Sequence, residues 1–322
     1  MLDTTTDHVG DTLNRISSSV GNAMIGQRQA IDEVLVTIIA GGHALLEGVP
    51  GLGKTLLARA FSKALSIQFG RIQFTPDLMP SDVTGHAMFD SHSGSFKIRK
   101  GPIFTNLLLA DEINRAPAKT QASLLEAMQE RQVTIEGKSF ELPPPLIVLA
   151  TQNPIESEGT YPLPEAQLDR FLFKVQIDYP SEDEESLLTR KVLDNSVGNE
   201  FNLSTVTEVI GGTELLQVQQ AAAAIRIDEQ VHRYAVQIAG ATRSWPGFSI
   251  GSGPRGSIAM LRAARAKALL DGRDFVMPDD IKGIMLPALR HRVILSPEME
   301  IESVSTDELL MEVLKTVEAP RT

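Results

Sequence analysis

One octapeptide says more about this chain than any other part of it: Gly48-Val49-Pro50-Gly51-Leu52-Gly53-Lys54-Thr55. The pattern Gly-x-x-x-x-Gly-Lys-Thr offers backbone N–H groups that a phosphate can approach closely, together with the N-terminus of a helix. Its lysine suits the outer phosphates of a nucleotide, and its hydroxyl suits a bound Mg²⁺. The octapeptide therefore predicts a phosphate-binding loop.

The sequence on either side of the loop supports this prediction. An apolar run over residues 34–40 is separated by Gly41-Gly42 from a second run over 43–47. This pattern predicts the end of a helix followed by a short buried strand. Beyond the loop, apolar residues recur at helical spacing from Lys54 to Leu65, which predicts an amphipathic helix. Strand, loop and helix thus follow in the order that a phosphate site requires.

Short apolar runs continue to alternate with helical patterns through the first half of the chain. The runs lie at 71–74, 107–110, 146–150 and 173–177. Such alternation predicts the α/β class, with a parallel sheet covered by helices on both faces. Residues 86–98 and 133–142 interrupt the rhythm, and the turn residues at their centres predict two inserted β-hairpins.

The sequence becomes helical near residue 180, where Ser181 and Glu184 have the spacing of a capping box. We predict an N-terminal helical segment at 1–24, an α/β core at 25–180 and an all-α domain at 181–322. The stretch 195–212 has little periodicity, which favours a solvated connection.

Composition narrows the possible functions. The chain of 322 residues is 42% hydrophobic, enough for a substantial core, and its net charge of −11 disfavours generic binding to nucleic acid. It has no cysteine, its six histidines show no paired spacing for zinc, and no apolar run is long enough to span a membrane. With no secretory signal pattern at the start, we expect a cytoplasmic location.

Two carboxylates follow the apolar run 107–110 directly. Asp111-Glu112 would lie at the carboxyl end of a buried strand, where ligands of α/β sheets bind. Beside a phosphate loop, Asp111 would hold Mg²⁺ directly or through water, and Glu112 would orient the attacking water as a base. Without the loop, the same pair would be as readily explained as an ordinary helix-start signal.

Three further residues are candidates for contact with the terminal phosphate. Asn153 follows a third strand and could donate to the γ-phosphate or the lytic water. Arg170 and Arg255 could stabilise charge on a transferred phosphoryl group, although a single arginine is more often a surface ion-pair partner.

These motifs, in this order, resemble those of the MoxR family of AAA+ ATPases over about residues 20–295. The resemblance rests on the phosphate loop, on 109–117, on 150–154 and on 165–171. It implies an AAA+ core with a helical lid, with ATP, ADP and Mg²⁺ as cofactors.

The resemblance also implies the role of each residue. Lys54 and Thr55 would form Walker A, with the whole loop and Leu56 after it contacting nucleotide, and Asp111 and Glu112 would form Walker B. Asn153 would be sensor 1, Arg170 an arginine finger acting on a neighbouring subunit, and Arg255 sensor 2. Arg115 and Arg131 stay open as alternative fingers.

By the same resemblance we expect a homo-oligomeric ring, most simply a hexamer, whose hairpins point toward a central pore. The expected function is chaperone-like remodelling or activation of a client protein complex, such as one that needs metal or cofactor insertion, through a von Willebrand A-domain partner. The alternatives are a nucleic-acid-stimulated motor, a magnesium-chelatase-like subunit, and an ATP-regulated scaffold. The basic residues Lys97, Arg99 and Lys100 on the first hairpin are most simply a solvated face.

Overall fold

The structure, a computed structural model, describes residues 6–92, 94–154, 159–195 and 203–320. Helices and strands alternate through the first half, in the order α1 Thr6–Gly21, α2 Arg28–Ile39, β1 Ala44–Glu47, α3 Lys54–Ala64, β2 Phe69–Gln73, α4 Pro80–Thr84, β3 Gly85–Asp90, β4 Ser95–Lys100, β5 Leu107–Asp111, α5 Ala118–Glu130, β6 Gln132–Ile135, β7 Lys138–Glu141, β8 Ile147–Gln152, α6 Glu165–Leu168 and β9 Phe173–Gln176. The predicted strands and the helix that follows the phosphate loop are confirmed.

Five of these strands form one parallel sheet in the order β2-β5-β8-β1-β9. Its two faces are buried in two separate apolar clusters: Leu46, Leu109 and Leu149 enter one, and Leu45, Leu108 and Val148 enter the other. Burial on both faces explains why these strands are continuous apolar runs and not alternating ones.

The two interruptions of the α/β rhythm are antiparallel hairpins, as predicted. β3 pairs with β4 from Gly85–Lys100 to Asp90–Ser95, and β6 pairs with β7. The first hairpin exposes apolar side chains, with Phe89 59% and Phe96 74% exposed and their rings 5.4 Å apart, edge to face. Aromatic rings this exposed are unusual for a solvated loop.

The second half is helical, with one short antiparallel ribbon that the sequence pattern did not predict. Its elements are α7 Glu182–Asn195, α8 Gly212–Ala224, α9 Glu229–Thr242, β10 Phe248–Ile250, α10 Pro254–Leu270, α11 Pro278–Leu289, β11 Ile294–Leu295, α12 Pro297–Ile301 and α13 Thr306–Thr316. The predicted capping box is present at α7, where the Ser181 hydroxyl and backbone N–H both donate to Glu184.

The expectation of a solvated connection over 195–212 is wrong for its second part, and residues 196–202 lie outside the described residues. Val206 and Ile210 are buried, the Val209 N–H donates to the Ala64 carbonyl, and the Thr207 N–H donates to Ser19. These contacts join the segment to α1 and α3, which are distant from it in the sequence. The burial of the segment therefore leaves no hydrophobic periodicity in its own sequence.

The helical half packs against the N-terminal helices around a shared core. α10 contacts α1, α2, α8, α9 and α11, and its apolar residues belong to the same buried cluster as those of α1 and α2. Among the described residues, no helix is both long and apolar enough to cross a membrane.

Candidate functional site

The phosphate loop leaves the carboxyl end of β1 and enters the N-terminus of α3, as the sequence requires. Gly48 lies so close to the chain after β9 that a Cβ would stand 2.6 Å from the Ile177 carbonyl oxygen. Gly53 has φ +82°, a left-handed conformation that favours glycine, at the residue before α3 begins. The pattern of glycines is therefore needed to shape the loop.

Lys54 lies inside the loop and donates to the carbonyl oxygens of Gly48 and Val49. Partial burial lowers the pKa of its ammonium group, an effect that the nearby carboxylates of Asp111, Glu112 and Glu47 oppose. These carboxylates keep the charged form favourable, so a cation is held where outer phosphates would bind.

Most of the residues predicted to contact nucleotide converge on one cleft of about 410 Å³ at the carboxyl ends of the strands, here called the nucleotide cleft. The described residues that line it are Pro50, Gly51, Gly53, Lys54, Thr55, Leu56, Arg59, Asp111, Glu112 and Asn153. All of these except Arg59 were predicted from the sequence. Arg59 lies in the first turns of α3 and belongs to no motif.

A buried threonine on the neighbouring strand contacts the end of β5, where both carboxylates lie. Thr151, on β8, donates its hydroxyl to Asp111 Oδ1 at 2.6 Å and accepts the Glu112 N–H at 2.8 Å. Glu112 has φ +55°, a left-handed conformation that is costly for a residue with a side chain, and the hydroxyl helps to hold it there. Sequence reasoning missed Thr151, since a threonine near a strand end has no signature.

The far oxygens of the carboxylates contact residues on the neighbouring strand β2. Arg71 donates to Asp111 Oδ2 from Nη2 at 2.6 Å and from Nε at 3.1 Å. Gln73 donates to Glu112 Oε2 at 2.7 Å, and Arg115 lies 3.3 Å from the same oxygen.

The Thr55 hydroxyl and the Asp111 carboxylate line the same cleft, and such oxygen donors are the kind that Mg²⁺ prefers. The chemistry of this donor set therefore fits a magnesium ion delivered with nucleotide. No cluster of His, Asp and Glu that could hold a metal by itself occurs within the described parts of the chain.

A second, more apolar cleft adjoins the first across the phosphate loop. It is lined on one side by Ala23, Met24 and Ile25, which connect α1 to α2, and on the other by Pro180 and Leu188. Gly51 and Leu56 line both clefts. A narrow apolar slot beside a phosphate site suits a flat nucleobase. The loop Ala23–Ile25 belongs to no motif, so the sequence did not reveal it.

Arg170 and Arg255 do not line the nucleotide cleft of their own chain; they meet in another cleft at the amino ends of β1 and β9. Arg170 donates to the Leu125 carbonyl at 2.7 Å, and its buried Nε has no hydrogen-bond partner among the described residues. Arg255, at the N-terminus of α10, lies 3.5 Å from Asp169, which also pairs with Arg292 at 2.7 Å.

The cleft that Arg170 and Arg255 line, here called the arginine cleft, is strongly positive. It is lined by Arg131, Arg170, Arg255, Arg262 and Arg292, and Asp169 is the single acidic residue among its described lining. Five positive charges and one negative charge give a local balance of +4 on a chain whose net charge is −11. Arg115 instead lies beside Glu112, and Arg131 shares the arginine cleft with Arg170.

Comparisons with known proteins agree with this fold. The model of the ATPase family associated with various cellular activities (AAA) matches residues 43–173, and that of the AAA lid domain matches residues 240–313. A crystal structure of a putative ATPase from Cytophaga hutchinsonii superposes with a TM-score of 0.89 at 39% identity, covering 98% of this chain and 97% of that one.

Similar sequences extend over nearly the whole chain. Uncharacterized protein YeaC of Bacillus subtilis is 44% identical, covering 96% of this chain and 95% of its own length. Chaperone MoxR1 of Mycobacterium tuberculosis is 41% identical over 96% of this chain and 83% of its own length. Protein MoxR of Methylorubrum extorquens is 30% identical, with 96% of both chains covered. The chain therefore belongs to the MoxR family of AAA+ ATPases.

Proposed function

We propose that this ATPase hydrolyses ATP in a site shared between subunits, and that the resulting ring, a hexamer, remodels a client protein. The observation that carries the proposal is the separation of the two charged clefts. The carboxylates and phosphate loop lie at the carboxyl ends of the strands, whereas Arg170 and Arg255 lie at the amino ends of β1 and β9. A head-to-tail contact would bring the arginines of one subunit to the nucleotide of the next, and such contacts generate rings.

Each residue then has a defined part in hydrolysis. The loop amides and Lys54 hold the phosphates, Glu112 accepts the proton of the attacking water, and Asn153 donates to the terminal phosphate. Mg²⁺ on Thr55 and Asp111 would neutralise charge on the phosphate oxygens. Arg170 and Arg255 of the neighbouring subunit would stabilise the charge of the transferred group.

A mixing experiment tests the shared site. Lys54→Ala removes phosphate binding. Arg170→Ala leaves the cleft of its own subunit intact but removes the arginine that would act on the nucleotide of the neighbouring subunit. Each variant alone should therefore be inactive. A 1:1 mixture should recover about a quarter of wild-type turnover, because random mixing restores that share of the interfaces. As a matched control, Lys54→Ala mixed with Glu112→Gln should recover nothing, since both changes lie in the same cleft. Mixed rings without recovery in the first pair would contradict the proposal.

The first hairpin supports the client half of the proposal. Phe89, Phe96 and Met88 are exposed on it, and exposed apolar side chains of this kind mark protein interaction surfaces. A relative named as a chaperone is consistent with a client protein. A von Willebrand A-domain protein and an enzyme awaiting metal or cofactor insertion are the proposed classes of partner and client.

A substitution on the hairpin separates client binding from hydrolysis. Phe96→Ser should leave the fold and the basal turnover intact and abolish capture of the client by a Glu112→Gln ring, which binds ATP without hydrolysing it. Ile301→Ser is the control, because Ile301 is 83% exposed on α12.

Stimulation of turnover by DNA at low salt, lost at high salt, would instead favour a nucleic-acid motor.

A further inference from the structure

Asp111 is held by its own chain through both carboxylate oxygens. Oδ1 accepts the Thr151 hydroxyl, and Oδ2 accepts two N–H groups of Arg71, at 2.6 and 3.1 Å. The Asp111 side chain is only 12% exposed, while that of Arg71 is 48% exposed. The carboxylate is thus fixed, and the arginine has room to move away into solvent.

Arg71 is also connected to the second carboxylate. Its Nη2 donates to Gln73 Oε1 at 3.0 Å, and Gln73 Nε2 donates in turn to Glu112 Oε2 at 2.7 Å. Arg71 and Gln73 are two residues apart on β2, so their side chains leave the same face of the strand. Gln73 is paired in register with Asp111 on β5. Arg71 therefore contacts Asp111 directly and Glu112 through Gln73.

We propose that Arg71 is a positioning residue that competes with Mg²⁺ for Asp111 and thereby sets the Mg²⁺ concentration that the site requires. The inference rests on the proposed function, in which Asp111 binds the metal. A guanidinium and Mg²⁺ are both cations that need the same carboxylate lone pairs. Mg²⁺ must displace Arg71 from Oδ2, or bind the carboxylate with this positive charge close by, and either requirement weakens metal binding.

The competition can be measured without hydrolysis, by titrating Mg²⁺ into the protein with a fluorescent ADP and following nucleotide binding. Arg71→Met removes the charge and keeps an unbranched apolar side chain. We expect its half-saturating Mg²⁺ concentration to fall about fivefold, a size suited to a half-exposed ion pair. Arg71→Lys keeps the charge but cannot donate twice in the same plane. Its half-saturating Mg²⁺ concentration should therefore lie between those of the wild type and of Arg71→Met.

A double mutant shows whether the effect passes through Asp111. In an Asp111→Asn background the carboxylate is absent, so Arg71→Met should change the Mg²⁺ requirement little. Arg233→Met is the matched control: Arg233 is an exposed arginine on α9, paired through Nε with Glu229 at 2.9 Å, and its loss should have no effect. Arg71→Lys carries the test if Arg71→Met unfolds at a lower temperature than the control.

Each outcome is decisive. An unchanged or higher Mg²⁺ requirement in Arg71→Met and Arg71→Lys would overturn the inference, as would a full effect that persists with Asp111→Asn. Wild-type protein that binds nucleotide at no Mg²⁺ concentration would instead overturn the proposed function.

Discussion

Among single residues, Thr151 fixes the geometry of the two candidate carboxylates, although we propose no reactive role for it. Its fully buried hydroxyl donates to Asp111 and accepts from the Glu112 backbone. Thr151→Val keeps the shape and leaves a buried N–H and a carboxylate oxygen without this partner. We expect a loss of about 2 kcal/mol in the free energy of unfolding, measured in urea, and a lower kcat.

Thr37→Val is a matched control for this change. Thr37 is equally buried, but its hydroxyl donates to the Glu33 carbonyl within helix α2, and neither residue lines the nucleotide cleft. Its loss should cost less stability and leave kcat unchanged. Equal effects of the two substitutions on kcat would show that Thr151 acts only through general stability.

The sequence predicted most of the nucleotide cleft because its residues belong to motifs that combine a fixed spacing with a chemical need. Lys54 and Thr55 follow a glycine pattern, and Asp111 and Glu112 follow a buried strand. Thr151 and Arg71 belong to no such motif, since their positions next to Asp111 depend on which strands are neighbours in the sheet. Sequence spacing alone does not contain strand order.

For helices and strands, the same reasoning explains what was predictable. Strands buried on both faces leave continuous apolar runs, and hairpins leave turn residues, so both were predicted from local sequence. The packing of residues 203–211 was not predicted, because Val206 and Ile210 are buried through a segment that contacts α1 and α3. Because its partners are distant in the sequence, the segment itself has too few apolar residues at regular spacing for its burial to be recognised.

His43 lies directly before β1 and contacts β8 and α5, and its burial predicts how the free energy of unfolding depends on pH. Its Nδ1 accepts the Val148 N–H of β8 at 3.0 Å, and it bonds the Met128 carbonyl at the end of α5. Desolvation, with smaller effects from Arg131 and Arg262, lowers the pKa of His43 to about 4. The imidazole is therefore neutral in the folded protein at pH 7, with the proton on Nε2.

Because the folded pKa lies below the unfolded value, the unfolded chain binds a proton first as the pH falls. Stability is therefore fully present well above pH 6.5 and should decrease by about 3 kcal/mol toward pH 4. Urea unfolding at several pH values measures this slope. His43→Asn should be less stable at pH 7 but lose less between pH 6.5 and 4. A variant with an undiminished slope would show that other groups cause it.

In the whole molecule, the nucleotide cleft lies at the carboxyl ends of the strands and the arginine cleft at the amino ends of β1 and β9. In the proposed function, this arrangement separates nucleotide binding from hydrolysis. The residues that would hold ATP are complete within one chain, whereas Arg255 does not line that cleft. A single subunit should therefore bind nucleotide fully and hydrolyse it poorly. Turnover per subunit should rise with protein concentration as rings assemble. The affinity for nucleotide should be the same in dilute, unassembled protein as in the rings.

Arg255→Ala makes this prediction specific. Its side chain is 54% exposed, and its one ion pair within the described parts of the chain is a long one with Asp169, so the fold should tolerate the change. We expect turnover in assembled rings to fall at least about tenfold, with nucleotide affinity of the dilute subunit unchanged. Arg226→Ala is the control, since Arg226 is an exposed ion-paired arginine near the start of α9. Weaker nucleotide binding by dilute Arg255→Ala protein would instead mean that the arginine acts on the nucleotide of its own subunit, and that the lid must rotate to bring it there.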